Sequence, residues 1–185
     1  AEGDTVNLAP GTYEENIVLK DGIRLQGSGV ESVLYGTISF VGSGEASIED
    51  LMIDGSLSEE GANGVVIDGA TLTLRGVSVR QMNNGVLIPS FSNEGMANVV
   101  MDGCTFTENL SAGVRVGMDT ELQVLNSVFS YNGQDGLQIA TEGGFSKILV
   151  AHSLFFANGF ALLDGSGIWS LWEGFELVNT IVTSN

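Results

Sequence analysis

Short runs in which apolar and polar residues alternate recur along nearly the whole chain. Leu72-Thr-Leu-Arg75 and Val114-Arg-Val116 are typical, since every second side chain is apolar. This period of two is that of a β-strand with one buried face. Glycines separate the runs, and 26 of them stand among 185 residues without a collagen-like period. The pattern therefore predicts many short strands joined by tight turns.

One repeat unit recurs along the chain. Its copies run from Leu72 to Asn83, Val99 to Asn109, Leu122 to Asn132, Ile148 to Asn158 and Phe175 to Asn185. Successive terminal asparagines are 26, 23, 26 and 27 residues apart. Glycine-headed strands follow these asparagines, beginning at Gly85, Gly113, Gly136 and Gly167, and Gly64 begins an earlier one. A unit this short cannot bury an apolar face alone, so its copies must stack on one another.

Stacked copies align like residues in columns. The expected inward columns are Leu72, Val99, Leu122, Ile148 and Phe175, then Val79, Phe106, Phe129, Phe155 and Val182, and a small column of Val77, Cys104, Ser127, Ser153 and Thr180. This arrangement predicts an all-β fold, a single-stranded, right-handed parallel β-helix (solenoid) of about seven coils. It would occupy residues 1–185 as one domain. We expect a segment of a longer solenoid, because the repeat runs to Asn185 without a polar cap.

Two columns are expected at turns. Asparagine tolerates a left-handed backbone, and stacked amides can bond from coil to coil, so the terminal asparagines predict a structural ladder. A second turn column would hold Gly76, Gly103, Asn126, His152 and Asn179. His152, the only histidine, is therefore interpreted as a turn residue and not as a base. Cys104 falls in the small inward column and is interpreted as core packing.

Composition and charge restrict the classes of function. With 43% hydrophobic residues the chain can bury a core, and no run approaches the length of a membrane helix. The net charge of −17 has the wrong sign for gripping phosphates, which disfavours nucleic acid and anionic membranes as partners. Acidic side chains can attract divalent cations, so calcium is a candidate ligand. Cys104 is the only cysteine, which excludes an intrachain disulfide.

Two stretches carry a family resemblance. The opening Gly3-Asp-Thr5, with Pro10-Gly-Thr-Tyr-Glu14 after it, is similar to the first coil of the pectin-lyase-like superfamily. Phe106-Thr-Glu-Asn109, Phe129-Ser-Tyr-Asn132 and Phe155-Phe-Ala-Asn158 resemble the FxxN repeats of polymorphic outer-membrane and related bacterial surface proteins. The resemblance implies the β-helix fold and a secreted or cell-surface location. Fold alone does not imply function.

The enzymes of the superfamily have motifs that this chain lacks. The QDT and DFIFG-type segments of pectin methylesterases have no counterpart, and neither do the NTD, Asp-Asp and Gly-His-Gly motifs of polygalacturonases. The Asp-Pro-His motif of alginate epimerases is also missing. Calcium-dependent lyases need no short motif, because their acidic calcium ligands and catalytic cation are scattered. A calcium-assisted lyase of uronate polysaccharides therefore stays open, with Arg115 as its catalytic candidate.

The candidate ligand-binding residues lie on the glycine-headed strands and the loops that leave them. The strands predict an outward column of Val66, Leu87, Arg115, Gln138 and Trp169, in which Arg115 suits an anionic sugar. The loops carry Phe91, Phe145 and Trp172, aromatic rings on which sugars or partner proteins dock. Asp119, Asp135 and Glu142 flank Arg115 as weak calcium candidates. We expect no tight structural metal.

The sequence favours a non-catalytic scaffold or recognition module that is secreted or displayed at a cell surface. Its expected partner is carbohydrate or a cell-surface protein, with no nucleic acid and no membrane insertion. Self-association end to end or side by side is also open, because solenoids offer strand edges. An enzyme would gather at least two carboxylates and a basic residue in one groove, whereas a scaffold would scatter them. The sequence favours the scaffold over the enzyme.

Overall fold

The computed structural model describes residues 3–89, 95–140, 146–160, 165–171 and 174–185. Its strands are β1 Thr5–Asn7, β2 Gly11–Tyr13, β3 Ile17–Val18, β4 Arg24–Leu34, β5 Ile38–Val41, β6 Glu45–Asp54, β7 Val65–Asp68, β8 Thr71–Arg75, β9 Ser78–Arg80, β10 Val86–Ile88, β11 Ala97–Asp102, β12 Thr105–Thr107, β13 Val114–Val116, β14 Thr120–Leu125, β15 Val128–Ser130, β16 Leu137–Ile139, β17 Ser146–Ala151, β18 Leu154–Phe156, β19 Ile168–Ser170, β20 Phe175–Val178 and β21 Ile181–Thr183. A single 3₁₀ turn, Gly55–Leu57, follows β6. No helix among these residues has the length and apolar character needed to cross a membrane.

The strands stack in parallel to form three faces of a β-helix. Face A contains β8, β11, β14, β17 and β20, and face B contains β9, β12, β15, β18 and β21. Face C contains β3, β5, β7, β10, β13, β16 and β19. Strand β6 pairs with β8 on face A and with β9 on face B, so it turns the corner without a break, and β4 pairs alongside it. The described strands make about seven coils, as the sequence predicts.

The predicted inward columns are confirmed in register, and their members are buried except in the last coil, where Val182 is 46% exposed and Phe175 and Thr180 are half-buried. Val99 pairs with Leu72 and Leu122 on face A, and Phe106 pairs with Val79 and Phe129 on face B. The phenylalanine rings stack along the axis, with centroids 5.0 Å apart for Phe106 and Phe129 and 4.4 Å for Phe129 and Phe155. Burial of each such side chain contributes ~1.5–3 kcal/mol. The core is therefore a continuous column shared by neighbouring coils.

An asparagine ladder runs beside the phenylalanine stack. The Oδ1 atom of Asn132 accepts from the backbone N–H of Asn109 at 3.1 Å and from its Nδ2 at 2.9 Å. Asn158 and Asn185 repeat this bond on the next two coils. The glycine that heads each face C strand leaves room for this packing, since a Cβ at Gly113 would come within 2.9 Å of the Phe129 ring. Phenylalanine, asparagine and glycine thus form one interlocked unit.

The structure corrects two details of the predicted turns. Met82, not Asn83, occupies the ladder position in its coil, because the backbone N–H of Met82 donates to Asn109 Oδ1. The second correction concerns the backbone of this turn. The residue in the left-handed conformation is the one before the asparagine, as at Glu108 and Tyr131, each with φ near 55°. At the other turn the prediction is confirmed. Gly76, Gly103, Asn126, His152 and Asn179 all have φ between 46° and 65°.

Candidate functional site

The outward column of face C lies in the register that the sequence predicts. Leu87 pairs with Val66 and Arg115, Gln138 pairs with Arg115, and Trp169 pairs with Gln138. Neighbouring strands of a sheet are ~4.8 Å apart, so Arg115, Gln138 and Trp169 stand at successive steps along the solenoid axis. We call these three residues the outer column. Parallel stacking therefore brings a cation, an amide and an indole together in a straight row.

Arg115 differs from most of the cations of the chain. Its side chain is exposed, and among the described residues it forms no ion pair and no hydrogen bond. The other arginines and Lys147 are paired. Arg24 and Arg75 contact Glu49, Arg80 contacts Asp54, and Lys147 contacts Glu121. Within the described part of the chain, the guanidinium donors of Arg115 thus have no protein acceptor.

Gln138 is held by a buried carboxylate. Asp135 is 4% exposed, and its Oδ2 accepts from Gln138 Nε2 at 3.0 Å. Its Oδ1 accepts from the backbone N–H of Ser166 at 2.9 Å and from the Ser166 hydroxyl at 2.8 Å. Both carboxylate oxygens are therefore engaged. Asp135 fixes the Gln138 amide and ties it to the segment that precedes β19.

Of the four aromatic candidates, Trp169 is the one that lies in the described part of the chain. The residue is 36% exposed, so part of the indole is open to solvent. Such a half-exposed ring suits stacking against the apolar face of a sugar. Phe91, Phe145 and Trp172 lie outside the described residues, and so does Glu142. Their assignments stay predictions.

The two calcium candidates that the structure describes lie in different environments. Asp119 is an exposed turn residue with φ 52°, whereas Asp135 is buried and engaged by three donors. Within the part of the chain that the structure describes, no three His, Cys, Asp or Glu side chains lie close enough to hold a metal ion. Calcium binding remains a prediction of the sequence.

His152 and Cys104 have the structural roles expected of them. His152 is exposed at a left-handed turn position, φ 53°. Cys104 is 1% exposed, and burial above all raises the pKa of its thiol to about 11. Since the thiolate is the reactive form of cysteine, Cys104 is unreactive at neutral pH.

Sequence reasoning missed an acidic cleft near the first coils. This cleft of about 500 Å³ has Tyr35 among its lining residues and is bordered by Glu14, Glu15, Glu59 and Glu60. The adjacent glutamates are visible in the sequence as two pairs, but 43 residues of chain separate them. Only the stacking of successive coils brings them together. We call this feature the acidic cleft.

The role of Asp135 was also missed. The sequence placed it among calcium ligands because it lies close to Gln138 and Arg115. Its hydrogen bonds to Ser166 cross 31 residues and end on the far side of an extended turn. The extra length between Asn158 and Gly167 marks an interruption of the repeat, but no pattern in the sequence identifies Asp135 as the side chain that fastens it.

The chain belongs to the right-handed β-helix family. The family model described as "Right handed beta helix region" matches residues 20–185, which confirms the predicted fold and its hand. No curated protein matches the chain.

Among solved structures, the A-module of mannuronan C-5 epimerase AlgE4 from Azotobacter vinelandii has a similar fold. The TM-score is 0.66 at 20% identity, over 90% of this chain and 50% of that one. The chain therefore spans about half the length of that module, and the likeness is one of fold alone. The AlgE6 A-module of the same organism aligns at 12% identity over 99% of this chain and 91% of that one. Its TM-score of 0.31 is too low to carry an argument.

Proposed function

We propose that the protein is a non-catalytic recognition module, secreted or at a cell surface, that binds carbohydrate along the outer column. One observation carries the proposal: an arginine with no ion pair in the described part of the chain, an oriented amide and a half-exposed indole stand on three adjacent strands. Binding sites for sugars combine an aromatic platform with a few polar groups of fixed direction. The similarity of fold to an epimerase module, named for a polysaccharide substrate, agrees with a carbohydrate ligand.

The arrangement of charges favours binding over catalysis. A lyase needs a base that removes the proton next to a carboxyl group, with acidic calcium ligands beside it. Among the described residues, the carboxylate bonded to the outer column is that of Asp135, which accepts from Gln138 and has both oxygens engaged. Both prolines lie outside any Asp-Pro-His sequence, because Pro10 follows Ala9 and Pro89 follows Ile88. The calcium-assisted lyase is thus the alternative that an activity assay must test.

Binding to a glycan array, followed by calorimetry on the best ligand, tests the proposal. We expect Trp169→Ala and Arg115→Gln each to weaken binding at least about tenfold, which corresponds to ~1.4 kcal/mol. Arg75→Gln is the matched control, since Arg75 is also exposed on a strand but contacts Glu49. It should leave the affinity unchanged.

Two outcomes would overturn the proposal. Calcium-dependent formation of unsaturated uronate from pectate or alginate, lost in Arg115→Ala, would make the protein a lyase. Binding of a cell-surface protein at the outer column, with no glycan bound, would make it a protein-recognition module instead.

A further inference from the structure

The orientation of the Gln138 amide is determined by its neighbour. A carboxylate only accepts hydrogen bonds, so the atom that faces Asp135 must be Nε2. The Nε2 to Oδ2 distance is 3.0 Å. The Oε1 atom of Gln138 is therefore turned away from Asp135. The middle of the outer column offers an acceptor to a ligand, and a ligand hydroxyl is the natural donor for it.

The charge along the outer column also changes from one strand to the next. Arg115 is positive and exposed, whereas Gln138 on the neighbouring strand is hydrogen-bonded to the buried carboxylate of Asp135. Ser166 donates to that carboxylate but brings no positive charge. An anionic group is thus favoured beside Arg115 and repelled beside Gln138. The net charge of −17 adds a general repulsion of polyanions.

A glycan that lies across the strands meets these positions in turn. The strand spacing of ~4.8 Å is close to the length of one sugar in an extended chain. Resting on the proposed function, we infer that the outer column selects a sparsely charged glycan, with one anionic group at Arg115, a neutral sugar at Gln138 and an apolar sugar face at Trp169. A homopolymer of uronates would place a carboxylate opposite Gln138. Asp135 is the positioning residue behind this selectivity.

A matched series of oligosaccharides tests the inference. The probes are cellohexaose and mannohexaose, the same chains with one sugar oxidised to the uronate, and the fully oxidised chains. Calorimetry should show the singly charged member binding tightest on the preferred backbone. The fully oxidised member should bind at least about tenfold more weakly, because juxtaposed like charges disfavour association.

Two variants separate positioning from folding. Asp135→Asn should reduce the difference in affinity between the singly and the fully charged probes, because the buried negative charge is gone. In the double variant Asp135→Asn with Gln138→Glu, the new amide at position 135 donates to the new carboxylate at position 138, so the two side chains stay hydrogen-bonded and the negative charge moves outward. The double variant should increase that difference in affinity again. Loss of stability alone would weaken all probes equally and leave their ratio unchanged.

The possible results test the charge selectivity and the proposed carbohydrate binding separately. Tightest binding of the fully oxidised probe, or an unchanged ratio in folded Asp135→Asn protein, overturns the selectivity while leaving carbohydrate binding intact. Binding of none of the probes, and of no ligand on the glycan array, overturns both.

Discussion

Single side chains in this fold act through the coil above and the coil below. Asn132 is fully buried, accepts from Asn109 through Oδ1 and donates through Nδ2 to Asn158 Oδ1 at 2.8 Å and to the Phe106 carbonyl at 3.1 Å. Its amide therefore joins three coils. The same residue type at position 83 does nothing comparable, because it lies one residue beyond the ladder.

Replacing Asn132 should thus cost far more than replacing Asn83. Asn132→Ala leaves the backbone N–H of Asn109 and the Phe106 carbonyl without their partner, so we expect a loss of ~2–4 kcal/mol in the free energy of unfolding. Asn83→Ala, in which no described side-chain hydrogen bond is lost, should change it by less than ~0.5 kcal/mol. Chemical denaturation of both variants checks this. Equal losses would mean that the ladder does not stabilise the stack.

The sequence contained the signal for this difference. Each ladder asparagine follows an inward phenylalanine by three residues, as in Phe106 and Asn109. Three residues after Val79, the position equivalent to Phe106, stands Met82. Residue identity suggested Asn83, whereas spacing pointed to Met82. The columns could be predicted because register follows from a repeated period, and at position 82 the spacing, not the residue type, gives the correct register.

At the scale of elements, the end of β6 shows how a turn is attached to the next coil. Asp54 caps the 3₁₀ turn Gly55–Leu57 by accepting from the Ser56 N–H at 2.9 Å. It also accepts from Arg80 Nε on β9 at 2.8 Å. Burial raises the pKa of Asp54, but the hydrogen bonds from Ser56 and Arg80 outweigh it and leave that pKa below its ordinary value. The folded state therefore favours the carboxylate.

This lowered pKa predicts a pH-dependent contribution to stability. Because the pKa is lower in the folded than in the unfolded state, the stabilisation is complete above about pH 4 and is lost as pH falls through the folded pKa. At pH 7 we expect Asp54→Asn to lower the free energy of unfolding by ~1–2 kcal/mol. Chemical denaturation measured from pH 7 down to the lowest pH at which the wild type still folds tests this. The free energies of unfolding of wild type and Asp54→Asn should become equal as the pH falls.

The exposed pair of Glu121 and Lys147 is the control for this experiment. Their charged atoms are 2.9 Å apart, with side-chain exposures of 34% and 68%. Glu121→Gln should cost less than ~1 kcal/mol at pH 7, because solvent screens exposed ion pairs. A gap between wild type and Asp54→Asn that persists at the lowest pH would contradict the assignment of the effect to ionisation.

Elements that depart from the repeat were beyond prediction from the sequence. Strands β4 and β6 run through the corner where later coils turn at Gly76 and its equivalents, so the two coils that contain them have no separate face B strand. The segment before β19 is fastened by Asp135 through a contact across 31 residues. Periodicity identified the outer column but gave no information on this fastening, because the fastening occurs once and has no period.

At the scale of the whole molecule, one continuous stack of coils carries an excess of 17 negative charges. Like charges on a compact protein repel one another and lower its stability. The repulsion is strongest where acidic side chains meet without a cation between them. The acidic cleft is such a place, since Glu14 and Glu15 of one coil border the same space as Glu59 and Glu60.

Neutralising one side of the acidic cleft should therefore stabilise the protein. At low ionic strength we expect Glu59→Gln with Glu60→Gln to raise the melting temperature by a few degrees. The gain should shrink in 0.15 M salt, because the Debye length falls from ~30 Å at 0.01 M to ~8 Å. The control is Glu31→Gln with Glu176→Gln, which removes the same charge from strands β4 and β20, one near each end of the stack. An equal gain in the control would assign the effect to net charge, whereas a larger gain at the cleft would show that stacking concentrates the repulsion there.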